Sequence, residues 1–158
     1  MPNRSFRFVH ASDFHLELPL GGVVEVPDHL REAWIDAPYD AARRVFDAVL
    51  TEDAALLVLS GDILHPQRTG LRGPLFLNEQ FHRLAERGVT IYWAGGEFDP
   101  PDAWPSAFPL PDNVRIFPQG RAAEFLHQRD AAPLARIVGR SRDGHRPPRP
   151  GDFEPDPA

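Results

Sequence analysis

A short apolar run, Leu56-Leu57-Val58-Leu59-Ser60, ends abruptly on Gly61-Asp62. An unbroken apolar stretch of this kind reads as a strand buried on both faces, as expected where helices cover a sheet on either side. A second stretch, Phe6-Arg7-Phe8-Val9-His10, also runs into an acidic motif, Asp13-Phe14-His15. Between the two, Ala42, Val45, Phe46, Val49 and Leu50 recur at helical spacing, with Arg43, Arg44 and Asp47 facing outward. Strand, helix and strand in that order imply a right-handed crossover and parallel neighbours. Both acidic motifs then fall at the carboxyl edge of one sheet, where open α/β proteins build their sites.

The alternation continues along the chain. Gly70 to Pro74 reads as a loop, and Leu77, Phe81, Leu84 and Ala85 as a second amphipathic helix stopped by Gly88. Val89 to Trp93 is a third strand and Val114 to Phe117 a fourth, with Glu124–Gln128 and Leu134–Val138 as a final antiparallel pair. The segment Leu16 to Asp36 carries Pro19, Gly21, Gly22 and Pro27 and reads as a long loop of the functional kind. Asp36 is then the expected helix cap, with Pro38 in the first turn. The Pro-rich stretch Pro100 to Pro111 excludes regular structure. From Ser141 onward, Pro147, Pro148, Pro150, Pro155 and Pro157 with few apolar residues predict disorder. The expected division is one domain over residues 1–140 and a Pro/Arg-rich disordered tail over residues 141–158.

Composition narrows the chemistry. At 158 residues the chain has one domain's length. It has no cysteine, so disulfides and thiolate metal sites are excluded. A metal must be held by Asp, Glu, His, Asn or backbone oxygen, which favours Mn or Fe, with Mg or Zn as alternatives. No apolar run approaches a membrane-spanning length and no leader-like segment opens the sequence, so the expectation is a cytoplasmic protein without membrane contact. Net charge is −6, without the overall basic footprint of a nucleic-acid binder. All 17 basic residues are arginine, a pattern of coding bias, and seven of them lie between Arg121 and Arg149 against Glu124, Asp130 and Asp143. That segment reads as a solvated face, with a phosphate-facing patch as the alternative.

Asp13 and His15, two apart on extended chain, point the same way and can reach one cation. Asp62, from the neighbouring strand end, is placed to bridge two cations, and Gly61 permits close backbone approach beside it. Paired divalent ions about 3.5–4 Å apart activate water and clamp phosphoryl oxygens for in-line attack. Asp-x-His or Gly-Asp alone is weak evidence; their joint placement after two apolar strands is stronger.

Val9-His10-Ala11-Ser12-Asp13-Phe14-His15-Leu16 and Leu59-Ser60-Gly61-Asp62 resemble the first two motifs of the calcineurin-like metallophosphoesterases, the first being most similar to the DNA-repair exonuclease branch. The resemblance implies an α/β/β/α sandwich with a mainly parallel sheet, of which this chain covers the N-terminal half, roughly residues 5–140. It implies a divalent metal site using Asp13, His15 and Asp62, and phosphodiester hydrolysis by metal-activated water. The family's third motif, Gly-Asn-His-Asp, corresponds here to Gly96-Glu97-Phe98-Asp99. Glu97 takes the place of a second-metal ligand and keeps an oxygen donor. Phe98 takes the place of the acid–base histidine and cannot titrate, so no catalytic acid is intact. Asp99 is expected to orient this loop through backbone hydrogen bonds. The family's later Gly-His-x-His is absent, and Gly144-His145 leads into Arg146-Pro147-Pro148 rather than following a strand.

The other candidates have plainer readings. His10 reads as a packed strand residue, His65 as a loop histidine, His29 and His82 as exposed, and Trp93 and Trp104 as packing aromatics. Three functions stay open: an exonuclease-like phosphoesterase acting on nucleic acid or another phosphodiester; a catalytically degenerate scaffold or interaction subunit; and a truncated fragment. Half a sandwich would expose an apolar sheet face, which implies a partner chain or self-association.

Overall fold

The computed structural model describes residues 5–18, 20–22, 25–66, 70–144 and 149–153. Four strands, β1 (Phe8–Ala11), β2 (Leu56–Ser60), β3 (Thr90–Ala94) and β4 (Val114–Ile116), form one sheet in the order β1-β2-β3-β4. All three pairings are parallel. Helix α1 (Arg31–Thr51) links β1 to β2, and α2 (Arg72–Ala85) links β2 to β3. A hairpin of β5 (Ala123–Arg129) and β6 (Ala132–Gly139) follows, antiparallel as its sequence predicts. The α/β expectation and the parallel order of the strands both hold.

Alternation along the strands separates two cores. Leu57, Leu59, Ile91 and Trp93 pack with Phe46 and Val49 of α1 and with Leu77, Phe81 and Leu84 of α2. Leu56 and Tyr92 point to the opposite face and pack with Phe117, Phe125 and Ile137. Both helices thus serve one face, and the other is covered by the hairpin rather than by helices. That cover is partial: Phe8, paired with Leu56 on the β1 edge, is 56% exposed.

Two helix boundaries differ from expectation. α1 starts at Arg31 rather than after Asp36, so Pro38 lies inside it and the expected long loop ends in a 3-10 turn at Asp28–Leu30. A proline inside a helix frees one carbonyl; here the first turns are held by contacts outside that ladder. Arg31 pairs with Asp28 at 2.9 Å, and the Trp34 indole donates to the Leu20 carbonyl at 3.3 Å. α2 starts at Arg72, taking Pro74 into its first turn, where a missing N–H costs nothing. Its other end follows the sequence reading: Gly88 has φ 69° and the Val89 N–H returns to the Leu84 carbonyl at 3.0 Å.

Packing continues past residue 140. Ser141 is fully buried, and Arg140 pairs with Asp143 at 3.0 Å and Asp152 at 2.6 Å. The remainder of the expected tail, residues 145–148 and 154–158, lies outside the described residues.

Candidate metal centre

The β1–β2 pairing does not stop where the strands do. The Asp13 N–H donates to the Gly61 carbonyl at 3.1 Å, His15 to Asp62 at 2.9 Å, and Leu16 to Ile63 at 3.1 Å; the His65 N–H returns to Leu16 at 3.0 Å. The two acidic motifs are zipped side by side by their own backbones. The zipper forces left-handed backbone on residues other than glycine: φ is 59° at Asp13, 48° at His15 and 55° at Asp62. Such strain clusters where function over-determines conformation. Gly61 needs to be glycine twice over, since φ is 83° and a Cβ would lie 2.6 Å from the Gly96 Cα.

Asp13 Oδ1 lies 3.5 Å from His15 Nε2, and both side chains are partly open to solvent. Bonds of about 2.0–2.2 Å put two neighbouring ligands of one ion about 3.0–3.4 Å apart, from octahedral to tetrahedral angles. This carboxylate and imidazole therefore have the bite of a shared cation. Asp62 lies beside them, but its Oδ1 accepts the N–H groups of Glu97 at 2.7 Å and Phe98 at 3.1 Å, which leaves Oδ2 outside those two bonds. Asp99 ties the two loops together, accepting from Asp62 and Gly96 at 2.8 Å each and from Ile63 at 3.1 Å. Burial pushes its carboxyl up to about 6, against the three N–H donors that pull it down.

The third motif turns its side chains elsewhere. Glu97 is ion-paired with Arg142 at 2.7 Å, and Arg142 is anchored by its backbone N–H on the Gly95 carbonyl at 2.9 Å. Phe98 stacks on the His65 ring, centroids 4.1 Å apart and planes 27° apart. Among the described residues no three His, Asp or Glu side chains are grouped to hold an ion. Asp13 and His15 by themselves stand at the spacing of two ligands of one cation, with the Asp62 backbone adjacent. At Glu97 the carboxylate is ion-paired with Arg142, and no group of three donors forms around it among the described residues.

Two further residues build this edge, His65, read from the sequence as a loop histidine, and Glu17, which that reading left out. His65 is buried, not a free loop side chain, and its Nε2 lies 3.0 Å from His15 Nδ1. Glu17, with φ 72°, accepts from the Gly73 N–H at 2.6 Å and the Tyr39 hydroxyl at 2.5 Å, fixing the loop after β1 to both helices. Continuing the parallel register past the strand ends pairs Leu16 with Leu64, which sets His65 opposite Glu17 and diagonal to His15.

The plainer readings divide. His10 is exposed rather than packed and is hydrogen-bonded to Ser60 Oγ. His29 and His82 are exposed, and Trp93 is buried against Trp104. His145 lies outside the described residues. In the arginine-rich segment Arg136 pairs with Glu124 at 3.5 Å, and Arg140 and Arg142 are ion-paired as above. Three of the seven arginines are thereby paired, and Arg140 among them is buried rather than solvated.

The described helices contain none long and apolar enough to cross a membrane. The sequence is 29% identical over 132 residues to an uncharacterized metallophosphoesterase, YhaO, of Bacillus subtilis strain 168. That alignment covers 84% of this chain and 32% of the relative, so the chain spans about a third of the length of the curated relative it matches. The calcineurin-like phosphoesterase family model matches residues 6–149. With the motif edge formed by β1 and β2, this match places the chain in that family: it belongs to the calcineurin-like phosphoesterases.

Proposed function

We propose that this chain supplies the first metal edge of a phosphodiester hydrolase of the DNA-repair exonuclease type, with Asp13, His15 and Asp62 as its cation-binding residues. Calcineurin-like phosphoesterases use divalent metals, and the family supports hydrolysis of phosphoesters in general. The observation that carries the reading is the backbone zipper that sets Asp13, His15 and Asp62 side by side. The exonuclease branch rests on the resemblance of the Val9–Leu16 motif, and nucleic acid as substrate rests on that branch. We propose Mn or Fe as the cation, from the oxygen and imidazole donor set, and the cytoplasm as the location.

A cation bound there lowers the pKa of a coordinated water. The chain's own residues do the rest. Asp13 and His15 orient the donor pair, the Asp62 carboxylate fastens the third loop, and Asp99 holds the loops together.

A second reading is favoured by the third motif: the chain by itself is a phosphoesterase-fold interaction subunit without turnover. Phe98 offers no proton, and Glu97 is held by Arg142. The open Phe8 side of the sheet gives such a subunit a surface for a partner chain or a second copy.

The two readings separate in one assay. Hydrolysis of a generic phosphodiester with Mn²⁺, lost by two or more orders of magnitude in Asp62→Asn, supports the hydrolase. Bound Mn²⁺ without turnover in the wild type sinks it for the isolated chain and supports the subunit.

A further inference from the structure

His15 uses both ring nitrogens. Nε2 faces Asp13 Oδ1 at 3.5 Å, and Nδ1 faces His65 Nε2 at 3.0 Å. A neutral imidazole has one N–H and one lone pair. For Nε2 to offer its lone pair to a cation shared with Asp13, the proton must sit on Nδ1. The bond to His65 then requires His65 Nε2 to accept, which places the His65 proton on its own Nδ1. The bond itself runs in either direction; a cation on Nε2 is what would fix both tautomers through it.

His65 is built to hold that position. It is 7% exposed, its backbone N–H is bonded to the Leu16 carbonyl at 3.0 Å, and its ring lies flat on Phe98. Phe98 also meets the His15 ring edge-on, centroids 6.1 Å apart. The side chain that cannot act as an acid forms the wall against which the histidine pair is packed.

We propose that His65 is a positioning residue for His15: it accepts the Nδ1 proton, leaves Nε2 free to join Asp13 on a divalent cation, and is itself held by stacking on Phe98. The proposal rests on the reading that Asp13 and His15 bind a cation.

The test uses Mn²⁺ titration of the wild type, His65→Phe and His65→Gln, with nitrogen-15 histidine spectra of the same proteins loaded with diamagnetic Zn²⁺. Phe keeps the stack on Phe98 and removes the acceptor; Gln restores an acceptor oxygen. The loaded wild type should show His15 bound through Nε2 and protonated on Nδ1. In His65→Phe, Mn²⁺ affinity should fall about 10–100-fold, the usual cost of removing an outer-shell partner. His65→Gln should restore most of the affinity. A loaded wild type with His15 bound through Nδ1, or unchanged Mn²⁺ affinity in a folded His65→Phe variant, overturns the proposal. A wild type that binds neither cation overturns the cation reading and the proposal with it.

Discussion

The edge formed by β1 and β2 and the edge formed by β3 have the same backbone logic and opposite side-chain outcomes. In both, a parallel strand ends in a tight, glycine-bearing turn at the carboxyl edge of the sheet. At the first, Asp13 Oδ1 and His15 Nε2 stand 3.5 Å apart, close to donor spacing. At the second, Glu97 is spent on Arg142 and Phe98 on the His65 ring. Asp62 and Asp99 join the two edges through backbone N–H groups, so the second loop is fully built although its side chains have left the family pattern. Backbone architecture and donor chemistry are thus separable: the loop keeps its place because Asp99 and Gly96 hold it, whatever Glu97 and Phe98 do.

Attacking that shared backbone should have the largest effect. Gly96→Ala would place a Cβ against the Asp62 carboxylate and 2.5 Å from its backbone N. We expect about 3–4 kcal/mol of destabilisation by denaturant unfolding, with Mn²⁺ affinity falling as Asp62 is displaced. A stable variant with intact affinity would show that the edges are independent.

Asp99 comes next. Its folded pKa, about 6, lies above the ordinary 3.8, so the folded state binds the proton more tightly. The resulting stabilisation is fully present below 3.8 and is lost as pH rises through about 6, roughly 2–3 kcal/mol in all. Asp99→Asn should remove that dependence, seen as the difference between the two unfolding free energies across the same pH range. It should also lower stability by about 2 kcal/mol, since an amide cannot accept all three N–H donors.

The smallest effect belongs to Arg142→Gln. The Glu97–Arg142 pair is about half exposed on both sides, and such pairs contribute about 0–1 kcal/mol. Stability should barely change. A larger loss would mean that this pair, rather than Asp99, secures the second edge.

Much of this comparison was legible in the residues. The apolar run at Leu56–Ser60 and the helical spacing of Ala42 to Leu50 led directly to parallel strands with both motifs at one edge. Glu97 and Phe98 were readable as departures because they sit between Gly96 and Asp99, which keep their positions. What could not be read depended on contacts distant in sequence. Arg142 reaches Glu97 from beyond β6, and His65 meets His15 only because the ladder continues past the strand ends. The start of α1 was misplaced because Pro38 was weighed by local preference, while Asp28 and Leu20 hold the turns that precede it. The hairpin was foreseen, but its seat on the second sheet face depends on Tyr92, Phe117, Phe125 and Ile137 meeting from three separate segments.

Counting bound ions by Mn²⁺ titration of the folded chain tests the difference between the edges most directly. One ion per chain, abolished by Asp13→Asn and unaffected by Glu97→Gln, is the predicted result. Two ions per chain, or one that survives Asp13→Asn and is lost in Glu97→Gln, would contradict it.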